Sequence, residues 1–278
     1  MPTFTCLTFY RFIRLPLAGR DKDLPTLRVR LRKLCTELDL RGTILIAEEG
    51  INAGLSGSRE SIDRFRDFAR QEFSIPSDAA PGPGDLESAF KLSEAERHPF
   101  NRLLVRIKKE IISLGIPTVR PDEHTGKRLS AAELKQWLDE GRPVVLLDTR
   151  NQYEVDVGTF HGAETMNLDT FREFGPKAVE LAKSLGDRPV VSFCTGGIRC
   201  EKASALLEDL GVKDVYQLDG GILRYFEENG NAHYEGDCFV FDWRMAVNGK
   251  LEPVQRSEDP NATFGRHLPN PERKVLNP

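Results

Sequence analysis

No CxxC pair occurs in the 278 residues, and the five cysteines, Cys6, Cys35, Cys194, Cys200 and Cys238, are odd in number and widely spaced. This argues against a disulfide framework and against zinc-ribbon spacing, so reduced thiols are expected. The histidines, His98, His124, His161, His233 and His267, are scattered, and no metal site is expected from them. No stretch approaches the roughly 18 consecutive apolar residues of a membrane helix. The opening "MPTFTCLTFYRFIR" has arginines and no signal-peptide core. A cytoplasmic chain without membrane attachment is the expectation. There is no internal repeat or low-complexity block, so no repeat architecture is expected.

What is present is an ordinary globular composition, 39% hydrophobic and 29% charged. The length suggests two domains, each large enough for its own core. The net charge of -4 is unevenly spread: residues 1–117 carry 19 Lys and Arg against 16 Asp and Glu, and the remainder carries 20 against 27. Basic residues are densest early, in Arg28, Arg30, Arg32, Lys33 and Arg41 among others, which permits a polyanionic partner for the first half.

The first half reads as strand, helix, two strands, helix, strand. "TFTCLTFYRFI" is aromatic and β-branched, and Leu27, Leu31, Leu34 and Leu38 recur at helical spacing. "RGTILIAEEGINAGLSGS" predicts a hairpin, with Gly50 and Asn52 in "EGINAG" at its turn. "SRESIDRFRDFARQEF" predicts a helix capped by Ser58 or Ser61, and a Pro/Gly-rich loop, "IPSDAAPGPGD", follows it. "NRLLVRIKKEIISLG" then predicts one or two closing strands. This order is that of a ferredoxin-like, or acylphosphatase-like, α+β sandwich over residues 1–117 with one open sheet face. Pro117, Pro121 and Gly126 mark a linker at 118–126.

Beyond it the pattern is α/β. "SAAELKQWLDEG" predicts a capped helix, and "PVVLLDT" and "PVVSFC" are continuous apolar strands suited to a parallel sheet covered on both faces. "TFREFGPKAVELAKSLG" and "EKASALLEDLG" predict helices, and "VYQL" a further strand, giving a domain over residues 127–231. Residues 232–278 predict a short hairpin with an Asn248-Gly249 turn, then a polar, Pro-rich tail. Ligands of such sheets sit beyond the carboxyl ends of the strands, where Asp148 and Cys194 fall.

Cys194 leads the string "FCTGGIRCEKA". Thr195, Gly196 and Gly197 can curl the backbone so that successive N–H groups point inward at the start of a helix, and Ile198 and Arg199 open that helix. Amides, helix dipole and the Arg199 charge would all favour a thiolate, so Cys194 is the predicted nucleophile. A strand-end cysteine with glycines that merely turn the chain is the plainer alternative.

The loop C-T-G-G-I-R resembles the active-site loop of rhodanese-like sulfurtransferases. "LLDTRNQYEVDVGTFHGAETMN" and "VYQLDGGILRY" are similar to that family's other two motifs. With "GTILIAEEGINAGLSG" upstream and "GDCFVFDWRMAV" downstream, the chain resembles the rhodanese-domain tRNA wobble-uridine hydroxylases over roughly residues 5–250. The resemblance implies oxygen-dependent C5 hydroxylation of uridine 34 to 5-hydroxyuridine, with Cys194 essential, molecular oxygen as co-substrate and the tRNA anticodon loop as partner. It implies no oligomeric state. Many members continue into a cysteine-containing extension, whereas this chain has no cysteine after Cys238. Neither a flavin fingerprint nor a two-histidine-one-carboxylate iron pattern is present, so no bound cofactor or metal is expected. Alternatives are a rhodanese-type sulfurtransferase carrying a persulfide, and a non-catalytic binding module.

Supporting residues follow. Asp148 and Arg150 are expected to form an ion pair beneath the pocket. Arg199 is a candidate for gripping a phosphate or tuning the thiolate, with a helix-start salt bridge as the alternative. Cys200 is expected to pack rather than react, unless it lies close enough to resolve an oxidised Cys194. Arg28 and Arg32 on one helix face, and Arg106, Lys108 and Lys109 near a strand, are the candidate RNA contacts.

Overall fold

The computed structural model describes residues 3–17, 20–73 and 89–254. Strand β1 (Phe4–Phe12) alternates its faces: Leu7 and Phe9 enter the core, while Thr8 and Tyr10 face the other way. Helix α1 (Leu24–Glu37) starts where the Asp23 carboxylate accepts from the Thr26 amide at 2.8 Å. Strands β2 (Arg41–Ala47) and β3 (Gly50–Gly57) form the predicted hairpin. Its turn is Glu48-Glu49, because Ala47 pairs with Gly50, so Gly50 and Asn52 belong to β3 and not to the turn. Helix α2 (Arg59–Phe73) is capped by Ser58, whose Oγ accepts from the Ser61 amide at 3.1 Å.

Strand β4 (Phe90–Ala95) completes the ferredoxin-like sheet, and β5 (Leu103–Ile107) adds to it, in the order β4-β1-β3-β2-β5. The predicted closing strand is therefore this fifth, extra strand, parallel to β2, while the fourth strand lies in "FKLSEA". β4 is an edge strand in which Phe90 and Leu92 alone face the core, too weak an alternation to register among charged residues. Both helices pack on one face of the sheet, against Leu7, Phe9, Ile44, Ile51 and Leu55. The predicted Pro/Gly-rich loop, residues 75–85, lies outside the described residues.

The second domain opens with β6 (Lys127–Leu129) and α3 (Ala131–Asp139), whose Ser130–Glu133 capping box is complete. There follow β7 (Val145–Asp148), α4 (Gln152–Val155), β8 (Gly158–Phe160), β9 (Glu164–Thr165), a 3-10 turn at Phe171–Glu173 and α5 (Phe174–Leu185). Strand β10 (Val190–Phe193), α6 (Ile198–Asp209), β11 (Val215–Leu218) and α7 (Gly221–Asn229) complete it. The sheet is parallel throughout, in the order β6-β11-β10-β7-β9, with separate apolar cores on its two faces.

Strand β12 (Tyr234–Gly236) pairs with β8, and β13 (Cys238–Phe239) pairs with β14 (Ala246–Val247). Residues 240–245 close this hairpin; the predicted Asn248-Gly249 turn comes after it and carries a single bridge from Val247 to Pro253. The polar tail beyond residue 254 lies outside the described residues. Among the described residues no helix is long and apolar enough to cross a membrane.

The two domains are joined by buried polar contacts. Tyr10 Oη donates to Glu201 Oε1 at 3.0 Å, and Lys202, 1% exposed in its side chain, is held at 2.8 Å by both Glu49 and Glu110. Arg244 Nη1 donates to Ser93 Oγ at 2.8 Å. The bare face of the first sheet therefore covers the carboxyl ends of the second sheet's strands.

Candidate active site

Between the domains lies a cleft of about 660 Å³, of a size suited to a nucleoside. One wall is the bare sheet face: Thr8 and Tyr10 of β1, Thr43 and Leu45 of β2, Asn52 and Gly54 of β3, Lys91 and Ser93 of β4. Facing it are Cys194, Thr195, Gly196, Ile198 and Arg199, with Phe100, Phe171 and the exposed Phe241 at its sides.

The loop is built as its sequence predicts, with one change. Gly197 has φ +97° and Gly196 keeps an ordinary conformation, so one left-handed residue suffices to turn the chain into α6. The Gly197 amide then donates to Cys194 Sγ at 3.1 Å. The start of α7 fixes the loop from the other side, where the amides of Ile222 and Leu223 donate to the carbonyls of Cys194 and Thr195 at 2.9 and 3.1 Å. Gly221, at φ +66°, must be glycine here, since a Cβ would lie 2.4 Å from the Cys194 carbonyl oxygen. With its carbonyls engaged outward, the loop turns its amides toward the sulfur.

Cys194 is fully buried at the cleft floor. Burial pushes the thiol up, but hydrogen bonding from Cys200, the Arg199 charge and the amides of Arg199 and Gly197 outweigh it and bring the pKa down to about 5. The surroundings therefore favour Cys194 over Cys200 as the thiolate. Cys200 is its proton-bearing neighbour, with a pKa held well above the usual thiol value by burial and by the adjacent sulfur. Cys200 is fully buried in the first turn of α6, where its thiol hydrogen-bonds Cys194 and lies 3.9 Å from Thr149 Oγ1.

Arg199 is 5% exposed, and both arms of its guanidinium are held by Glu154, at 2.5 and 2.7 Å. The fork that would grip a phosphate is taken up by Glu154, and the Arg199 charge lowers the Cys194 pKa. Thr195 Oγ1 also donates to Glu154, at 3.3 Å. Asp148 and Arg150 form the expected ion pair, fully buried, with Nη2 to Oδ2 at 2.6 Å; Thr159 donates to the same oxygen at 2.8 Å. This pair underlies the strand ends without lining the cleft.

The candidate RNA residues separate. Lys108 lines the cleft, and Arg106, opposite Leu45 in the β2–β5 register, is exposed on the same sheet face. Lys109 is exposed on the next residue of the chain. Arg28 and Arg32 are exposed on α1, across the sheet from the cleft. Sequence reasoning missed Glu154, Tyr10, Asn52 and Lys91. The period-two alternation of the strands held a signal for the last three, because each sits opposite a cleft-facing neighbour: Tyr10 with Asn52, Thr8 with Lys91.

Residues 4–111 match the UPF0176 acylphosphatase like domain, and residues 130–228 match the Rhodanese-like domain. The chain is 45% identical over 284 residues, 95% of each chain, to the tRNA uridine(34) hydroxylase of Cupriavidus necator. It is 48% identical over 254 residues to the protein of that name from Cupriavidus pinatubonensis, covering 89% of this chain and 84% of the relative. A third, from Burkholderia ambifaria, is 46% identical over 259 residues, 91% and 87% of the two chains. Likeness at this level over both domains, around an intact cysteine nest, places the chain in the family of the tRNA uridine(34) hydroxylases.

Proposed function

We propose that this protein hydroxylates uridine 34 of tRNA at C5, in a reaction that consumes molecular oxygen and requires the Cys194 thiolate. The observation that carries the reading is the pairing of a low-pKa cysteine with a nucleoside-sized cleft closed by a second domain. C5 of uracil is a poor nucleophile in the intact ring. Addition of the Cys194 thiolate to C6 moves the C5=C6 electron pair toward C4 and O4 and leaves C5 electron-rich, ready to meet oxygen. Loss of the C5 proton and elimination of the thiolate from C6 afterwards restore the ring; the balance closes as uridine, O2 and water giving 5-hydroxyuridine and hydrogen peroxide, with O2 as the two-electron oxidant. Glu154 holds Arg199 beside the sulfur, and the Gly197 amide orients it. An anticodon-loop base can be splayed into the cleft without breaking a duplex.

Mass spectrometry of nucleosides from tRNA incubated with the protein tests this. We expect 5-hydroxyuridine from the wild type in air and none from Cys194→Ser or under anaerobic conditions. Efficient transfer of sulfur to cyanide with no 5-hydroxyuridine in air would overturn the reading in favour of a sulfurtransferase.

A further inference from the structure

We propose that Lys91 reads O4 of the target uracil and takes up the negative charge that thiolate addition places on that oxygen. This deepens the hydroxylase reading and rests on it for the chemistry, though not for the recognition.

The placement comes from strand register. Lys91 pairs with Thr8 at the β4–β1 edge, so it shares the cleft face with Thr8 and Ser93 while Phe90 and Leu92 enter the core. It is only 6% exposed, unusual for a lysine on a sheet edge. Its stem crosses to the other domain: Cε lies 3.3 Å from where a side chain on Gly220 would begin, and Nζ sits 5.2 Å from the Tyr10 ring centroid. Gly220 and Gly221 open α7, the segment whose backbone abuts the Cys194 carbonyl. The amine is therefore delivered by one domain to the cysteine loop of the other.

The surroundings keep it usable as a cation. Burial brings its pKa down to about 8, with Asp219 and Cys194 favouring the charge and Arg128 and Arg224 opposing it. At neutral pH Nζ remains protonated and presents donors only. O4 of uracil accepts a hydrogen bond, whereas the C4 amine of cytosine donates one, so a buried ammonium at C4 favours uridine and leaves cytidine facing donor with donor. The same contact strengthens during reaction. When the S–C6 bond forms, the C5=C6 π pair shifts to make C4=C5 and the carbonyl pair settles on O4; no electron leaves the pair of reactants, and the new oxyanion lies against the ammonium.

The test is binding of two anticodon stem-loops, one with uridine and one with cytidine at position 34, to protein carrying Cys194→Ser, so that no turnover intervenes. With Lys91 intact, uridine should bind roughly tenfold more tightly than cytidine. Adding Lys91→Met or Lys91→Gln should bring the two affinities together. In the Cys194-intact protein either variant should lower the single-turnover rate of 5-hydroxyuridine formation by about a hundredfold at saturating tRNA. Retention of the uridine preference in either variant, or an equal loss of affinity for both stem-loops, overturns the assignment; the second outcome would make Lys91 a phosphate contact. Lys91→Gln serves if Lys91→Met does not fold. If wild-type protein makes no 5-hydroxyuridine but shows a Lys91-dependent uridine preference, the hydroxylase reading fails and the recognition role stands.

Discussion

The two walls of the cleft are made by opposite means. On one side a parallel sheet, covered on both faces, offers only its strand ends, and chemistry is concentrated in six consecutive residues whose backbone does most of the work. On the other, a mostly antiparallel sheet offers a whole bare face, and its contribution is one or two side chains from each of four strands, among them Tyr10, Leu45, Asn52 and Lys91. The first wall lowers the pKa of a thiol; the second gives the cleft most of its shape. A contiguous loop tolerates little change, whereas a face assembled from several strands can alter one contact at a time.

The largest effect that would break this contrast is on the loop side. Glu154→Gln leaves the Arg199 guanidinium buried without its counter-ion, and urea denaturation should show a loss of about 3 kcal/mol or more. A loss below about 1 kcal/mol would mean that Arg199 is not held as described. A smaller effect, read as a rate, concerns the nest itself. The Cys194 pKa is lowered, so the thiolate is present above about pH 5 and lost as pH falls below it. Iodoacetamide alkylation, read at Cys194 by peptide mapping, should be flat from pH 6 to 8 and fall by about tenfold per unit well below the pKa. A midpoint near that of a free thiol would remove the activated nucleophile. The smallest effect sharpens the other wall. Arg106→Gln with Lys108→Gln should reduce the salt slope of tRNA binding by about 2, and Arg28→Gln with Arg32→Gln should leave it unchanged. The reverse result would put the RNA on the helical face of the first domain.

Legibility followed the same division. The Cys194 loop, its flanking strand and helix, and the Asp148–Arg150 pair could be read in advance because each is local in sequence. The two-domain order and the bare sheet face were legible from periodicity. What escaped was set by tertiary pairing. "FKLSEA" becomes a strand because β1 offers it an edge, and the hairpin turn falls at Glu48-Glu49 because register, not glycine, decides it. Glu154 was hidden because its partner, Arg199, lies 45 residues away.

The ion pairs of Lys202 have a consequence for the chain as a whole. A lysine on α6, immediately behind the Cys194 loop, is neutralised by Glu49 and Glu110, which precede the second domain in sequence. Parting the domains would break these ion pairs together with the Tyr10–Glu201 and Ser93–Arg244 hydrogen bonds. With these polar links shared between the domains, the melting of one should carry the other with it in a single cooperative transition, read as one coincident unfolding curve by two probes.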